Sequence, residues 1–282
     1  MRILIIGSTS VVGRAVGAHF YRQGAYIAYA GRRDGEINFD LTQPVMPQVT
    51  QLFDVVIHAA ADFGGATDAD WIRAEQVNGA GTLTACALAQ RVHAKHFILL
   101  SSVFAAYQPG DPYFGIYSLS KRHGEEAAQF FCAQRSLPLT VLRPSQIYDD
   151  AGLCRPHQGF FYLLADQAQA GKDINLYGTY DATRNYLHIN DVKEIIFRIV
   201  EKRPLGVFHA GYPTQVRISE MAHSAQAAFD SDGEVRFLAE KPNLSDLAEI
   251  PDDGLYDLLG YWPSIDIAEG YRRVRRHRES QV

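Results

Sequence analysis

Short apolar runs alternate with longer segments of helical periodicity through the first half of the chain. The runs are Ile3 to Ile6, Tyr26 to Ala30, Val55 to Ala59, Phe97 to Leu100 and Leu139 to Arg143. Runs that stay apolar from residue to residue, without polar alternation, suit strands covered on both faces. Between them, Gly13 to Gln23, Trp71 to Gln90 and Tyr117 to Gln134 carry apolar residues at three-to-four spacing and are long enough for crossover helices. The alternation predicts an α/β fold with a doubly wound parallel sheet. After Pro144 the pattern loosens. Gly152 to Pro156 reads as loop, Phe160 to Ala170 as helix, Asn175 to Tyr177 as a short strand and Asn190 to Glu201 as helix, with Gly206 to His209 a returning strand and Ile218 to Phe229 a further helix. The expected division is a principal domain over residues 1–150 and a smaller lobe over 151–282, parts of which return to the sheet.

Composition narrows the class without naming the chemistry. The chain has 282 residues, 47% hydrophobic and 21% charged, with a net charge of −5, the profile of a soluble globular protein. A mildly acidic chain offers no electrostatic reason to bind nucleic acid. No stretch reaches the roughly 18 apolar residues of a membrane span, and the first apolar run leaves no room for a signal segment, so a cytoplasmic protein is expected. Cys86, Cys132 and Cys154 are odd in number and widely spaced, which fits reduced thiols and neither a disulfide framework nor a metal site. The basic run from Arg272 to Arg278 reads as a frayed, solvated helix end.

Two places in the chain carry candidate chemistry. Gly7-Ser8-Thr9-Ser10-Val11-Val12-Gly13 follows the first strand and opens the first helix, the setting in which a glycine-rich turn cradles a pyrophosphate. Gly7 permits the tight turn and Gly13 the close approach of helix and strand, while Ser10 stands where a middle glycine is usual. The second strand ends without an acid to accept ribose hydroxyls. Arg32 and Arg33 follow instead, and guanidinium groups there pair with a 2′-phosphate, which favours NADP(H) over NAD(H). Asp40 is placed to accept from the adenine amine.

The second place is Tyr117-Ser118-Leu119-Ser120-Lys121. Four positions apart on a helix, Tyr117 and Lys121 share a face. At about 4 Å and an effective dielectric of ~20, an ammonium lowers the energy of a phenolate by about 4 kcal/mol, or roughly three pKa units from an ordinary ~10. The expected result is a phenol usable as acid or base near neutrality. The same spacing also occurs on ordinary amphipathic helices, so the rest of the chain must decide.

Taken together, the glycine turn, Asp40-Leu41, His58-Ala59-Ala60-Ala61, Asn78, Ser101-Ser102, the Tyr117/Lys121 spacing and Arg143-Pro144 resemble the extended short-chain dehydrogenase/reductases, the NAD-dependent epimerase/dehydratase group acting largely on nucleotide sugars. Arg184 to Val192 is similar to that family's arginine-led segment that contacts the substrate nucleotide, and Gly260 to Pro263 to its closing motif. The resemblance implies a Rossmann domain for the dinucleotide and a C-terminal lobe for the substrate. It implies Ser102, Tyr117 and Lys121 as catalytic residues, with Lys121 also holding the nicotinamide ribose. It adds Leu41, Ala59, Ala60, Ala61, Asn78, Pro144 and Ile147 to the cofactor site, with Asn78 shaping backbone more than performing chemistry. Substrate contacts fall on Ser102, Val103, His157 and Arg184. Family members commonly pair as homodimers through a bundle that includes the tyrosine-bearing helix.

Within such a family, dehydration needs an acidic pair directly after the catalytic hydroxyl. Val103 and Phe104 stand there, and neither moves a proton. The expectation is therefore an NADP-dependent reductase of a nucleotide-linked 4-keto-6-deoxy sugar, with Tyr117 as proton donor. The alternatives are an epimerase of nucleotide sugars with tightly held NAD and, at the margin, a cofactor-sensing protein without turnover.

Overall fold

The computed structural model describes residues 1–281, which form two compact units. The first comprises residues 1–144, 193–210 and 252–261. Its strands and helices begin with β1 (Arg2–Ile6), α1 (Val11–Arg22), β2 (Tyr26–Gly31), β3 (Ile37–Asn38) and β4 (Val55–His58). They continue through α2 (Asp68–Ala74), α3 (Gly81–Arg91), β5 (His96–Leu100), α4 (Ile116–Arg135) and β6 (Leu139–Pro144).

The chain continues through β7 (Gln146–Tyr148), α5 (Gly159–Gln169), β8 (Ile174–Tyr177), β9 (Thr183–Arg184) and β10 (Tyr186–His188). Then come α6 (Ile189–Lys202), β11 (Gly206–Ala210), β12 (Val216–Arg217), α7 (Ile218–Phe229), β13 (Val235–Leu238), α8 (Leu255–Leu259) and α9 (Ile267–Glu279). The parallel sheet of the first unit has seven strands in the order β11-β6-β5-β4-β1-β2-β3. All five expected strands are among them. Ile3, Leu4, Ile5, Val55, Val56 and Ile57 are fully buried, the reason their runs show no polar alternation.

The strand order reverses direction at β1, where β2 lies on one side and β4 on the other. In doubly wound sheets a ligand crevice opens at the carboxyl ends of the strands flanking such a reversal. The glycine turn leaves β1 at that end.

The second unit comprises residues 145–192, 211–251 and 262–281 among those described. It holds three two-stranded pairs, β7 with β10, β9 with β12 and β8 with β13, while α7 packs against both α5 and α9. Phe161 anchors its core, stacked on Tyr271 at 4.4 Å and against Tyr148 at 4.4 Å. The basic run lies inside α9, and its arginines are paired: Arg272, Arg273 and Arg276 with Glu269, Arg275 with Asp230 and Glu279, and Arg278 with Asp166. This corrects the expectation of a frayed end, because Tyr271 and Val274 of the same helix are buried and hold it in register.

A second departure is local. The expected helix from Trp71 to Gln90 begins at Asp68, where Thr67 and Asp70 form a capping box, and is interrupted by a π-helical turn over Glu75–Ala80. Such turns mark a side chain diverted from the helical ladder, often at functional sites. Here that side chain is Asn78. No helix among the described residues is long and apolar enough to cross a membrane.

Two histidines are locked into the sheet. His58 bonds Thr82 at 3.2 Å and His96 bonds Thr140 at 2.7 Å, and burial lowers their pKa values to about 3 and about 4. Both fall below the unfolded value near 6.5, so the unfolded chain binds these protons more readily. Stability is retained above that pH and declines as pH falls through the window between about 6.5 and 4. Urea unfolding at stepped pH should show a loss of about 1.4 kcal/mol per pH unit per histidine in that window, and His96→Gln should reduce the slope.

Candidate active site

Ser10 caps α1, its Oγ accepting the Gly13 N–H at 3.1 Å. The remaining first-turn N–H groups of a helix have no intrahelical acceptor and face the turn, a ready seat for an anion. Gly7 has φ +110°, and a Cβ there would sit 2.6 Å from the Ala60 nitrogen. The turn and the Ala59–Ala60 backbone thus approach as only glycine permits. These features fit a dinucleotide pyrophosphate. Gly7, Ser8, Thr9, Ser10, Val11, Val12, Gly13, Ala59, Ala60 and Ala61 are brought to one edge of the sheet.

The loop after β2 is fastened to this turn by backbone atoms. The buried Ser8 hydroxyl donates to the Arg33 carbonyl. Arg14 of α1 donates to the carbonyls of Ser8 and Asp34 and stacks its guanidinium over the Tyr29 ring at 4.1 Å. No sequence pattern singles out Arg14, since its role is visible only once α1 and β2 lie side by side. The Arg32 and Arg33 side chains are exposed and enter no ion pair among the described residues, which leaves them able to meet a 2′-phosphate. Asp40 closes a turn on Thr42 through Oδ1, at 3.0 Å to the nitrogen and 2.8 Å to the hydroxyl, and Leu41 packs beside it against Gly81.

β5 delivers Ser101 and Ser102. The Ser101 nitrogen bonds back to Leu142, while Ser102 caps the 3-10 turn Val103–Ala106, with its Oγ accepting from Phe104. Ser102 is hydrogen-bonded to Tyr117, a bond that favours the ionised phenol. This is the serine chosen on resemblance. Val103 is buried in the same turn.

Tyr117 lies in the first turn of α4 and Lys121 one turn on. The expectation that Lys121 lowers the phenol's pKa is not met. Burial pushes Tyr117 up to about 12, opposed by the Ser102 hydrogen bond and not by the ammonium. The Lys121 Nζ instead donates to the Leu100 carbonyl at 2.7 Å, and burial lowers its pKa to about 8 while Glu125 opposes the shift. Glu125 is in turn clasped by Arg143, at 2.9 Å from Nε to Oε1. Spacing alone overestimated the coupling because it left out desolvation and the competing carbonyl.

Asn78 is a clamp. Its Oδ1 accepts the Asp62 N–H at 2.9 Å, and its Nδ2 donates to the Asp62 carbonyl at 2.6 Å and to Ser120 at 3.0 Å. The Asp62 carboxylate accepts from Gly64 at 2.8 Å and from Arg73 at 2.6 Å. One side chain therefore ties the loop after β4 to the helix that carries Tyr117. Two aromatic rings border the phenol: Phe63, stacked at 4.9 Å and 14°, and Phe104, edge-on at 6.4 Å. Stacking of Phe63 on Tyr117 had no signal in the sequence.

Pro144 ends β6 in the first unit. Ile147, His157 and Arg184 belong to the second. Ile147 pairs with Leu187 between β7 and β10. His157 is exposed, its nitrogen bonded to the Cys154 carbonyl, and Arg184 is buried, donating at 2.8 Å to the carbonyls of Thr183 and Ser245.

Comparison with known proteins adds an independent line. A family model described as "NAD dependent epimerase/dehydratase family" matches residues 3–211. UDP-glucuronic acid decarboxylase 2 of Arabidopsis thaliana is 22% identical over 306 residues, covering 96% of this chain and 66% of that protein. The chain thus spans about two thirds of the length of the first curated relatives it matches. A dTDP-4-dehydro-6-deoxy-D-allose reductase of Streptomyces bikiniensis is 25% identical over 127 residues, 45% of this chain and 39% of the relative. The structure of RMD from Pseudomonas aeruginosa complexed with NADPH matches with a TM-score of 0.80 at 18% identity, over 100% of this chain and 99% of that one. Epimerase structures of similar likeness are in complex with NAD. At these identities the structural likeness is one of fold.

Removing the Asn78 clamp should be costly. Asn78→Ala leaves the Asp62 N–H and carbonyl without their partners, and the urea midpoint should fall by the equivalent of about 1–3 kcal/mol. A midpoint within error of the parent would show that the clamp is dispensable.

Proposed function

Because the chain belongs to the NAD dependent epimerase/dehydratase family, we propose that it reduces the 4-keto group of a nucleotide-linked 6-deoxy sugar, with NADPH as reductant and Tyr117 as proton donor. The observation that carries this reading is the pairing of Tyr117 with Ser102, with Val103 and Phe104 standing where elimination would need acids. Burial holds the phenol in its protonated form across the physiological range, hydrogen-bonded to Ser102, so the group at the site carries the proton that reduction of a carbonyl consumes.

Bound at the glycine turn, the reduced nicotinamide supplies the hydride. The chain's residues do the rest. Ser102 and Tyr117 present adjacent hydroxyls to the carbonyl oxygen, which gains negative charge as it is reduced, and Tyr117 transfers its proton there. Lys121, fixed by Leu100, keeps two N–H groups for the nicotinamide ribose. Val103 and Phe104 supply no acid for elimination. Arg32 and Arg33 meet the 2′-phosphate, and Arg184 takes the phosphate or nucleotide portion of the substrate. His157 adds a polar contact to the sugar. Pairing of two copies through α4 is carried over from the family resemblance alone.

Purified protein given NADPH and a panel of 4-keto-6-deoxy nucleotide sugars should consume NADPH with at least one of them. Tyr117→Phe should lower turnover roughly 10²- to 10⁴-fold while dinucleotide binding persists. Interconversion of two nucleotide sugars without net consumption of NADPH would replace this reading with epimerisation. Separately, Arg32→Ala combined with Arg33→Ala should weaken NADPH binding by about 10- to 100-fold with little effect on NADH. An unchanged preference would remove the case for NADP.

A further inference from the structure

Phe63 is a large apolar side chain, 47% exposed, in a loop otherwise built of small and polar residues. An exposed phenylalanine by itself means little. This one has its ring nearly parallel to that of Tyr117, at 4.9 Å between centroids and 14° between planes, and the backbone on both sides of it is held. Asp62 is fixed at four points by Asn78, Gly64 and Arg73. Gly64, at φ +76°, has no Cβ, and one placed there would lie 2.5 Å from Cγ2 of Ile116, the residue before Tyr117. The loop is thus pressed onto the start of α4, and Phe63 is delivered to the phenol by a rigid arm.

We propose that Phe63 is a positioning residue for Tyr117, a platform that fixes the plane of the phenol and excludes water from one of its faces. The proposal rests on Tyr117 being the proton donor. Physically the platform acts in two ways. Stacking restrains the swing of the tyrosine ring about its χ1 bond, keeping the hydroxyl beside Ser102. The electron-rich face of the phenyl ring also disfavours a neighbouring phenolate, adding to the effect of lost hydration. Phe104, edge-on at 6.4 Å, borders the phenol as well, so removing Phe63 opens one side and leaves the other enclosed.

The titratable and charged groups on the elements around this stack are Lys121, Arg122, His123, Glu125, Glu126 and Arg135 of α4, His58 at the end of β4, Asp62 with its partner Arg73, Asp68 and Asp70 of α2, Glu75 of the π-helical turn with its partner His123, and Tyr107 beside Phe104. Phe63→Ala alters none of them. A change in Tyr117 ionisation in this variant therefore reports the platform.

The test follows tyrosinate absorbance during alkaline titration, with the matching Tyr117→Phe protein subtracted to isolate Tyr117. In the parent, Tyr117 should give no signal below about pH 10.5. In Phe63→Ala its signal should appear about one unit lower, nearer the ordinary value of ~10. Turnover should fall about tenfold, the KM for the dinucleotide should hold, and Phe63→Tyr should restore both titration and turnover. A Phe63→Ala protein that loses turnover but titrates like the parent would reduce Phe63 to ordinary packing, and one unchanged in both would remove its role altogether. The titration needs no substrate, so it stands or falls apart from the proposed reaction. Failure of that reaction would appear instead as an active Tyr117→Phe protein.

Discussion

Everything at the carboxyl edge of the sheet depends on how closely Gly7 can approach the backbone of Ala59 and Ala60. β1 and β4 are neighbours at the reversal of strand order, and their continuations leave the sheet side by side. A Cβ at Gly7 would fall 2.6 Å from Ala60, well inside contact distance. The missing methyl therefore lets one loop turn into α1 while the other runs toward Asp62. The first presents helix N–H groups, and the second carries Phe63 to the phenol. A single steric allowance at the centre of the sheet sets the direction of both.

Asn78 then transmits that arrangement to α4. Its π-helical turn is the place where the helical ladder yields so that a side chain can reach another loop. Gly124 makes room on the opposite side, since a Cβ there would meet the Asn78 carbonyl at 2.1 Å. The helix that carries Tyr117 is consequently seated by backbone contact and by one amide, with the Glu125–Arg143 pair beside Lys121. Ordering by buried, fully partnered polar groups gives a unique geometry where apolar packing alone permits sliding.

How much of this was legible follows from the physics of each element. β1, β4, β5 and β6 could be read because strands buried on both faces leave continuous apolar runs. The strands β3, β7, β9, β10 and β12 have two or three residues each, too few to show any period, and they exist through tertiary pairing. The break at Glu75–Ala80 was invisible because apolar spacing continues across it. Ser102 and Tyr117 were legible by resemblance, and the structure joins them by a hydrogen bond. The pKa of Tyr117 was misjudged for a definite reason: spacing supplies a charge and a distance, but desolvation and the Leu100 carbonyl belong to the folded environment. Phe63 and Arg14 act across contacts between segments distant in sequence, where no local pattern forms.

The fastening of the loop after β2 has a consequence for how such a protein changes. Ser8 and Arg14 grip main-chain carbonyls of that loop, and any residue at 33 or 34 would offer the same oxygen. The scaffold is thereby indifferent to the side chains it displays at 32 and 33. On the proposed reading, cofactor choice would be carried on an interchangeable surface, free to drift or be redesigned without disturbing the glycine turn.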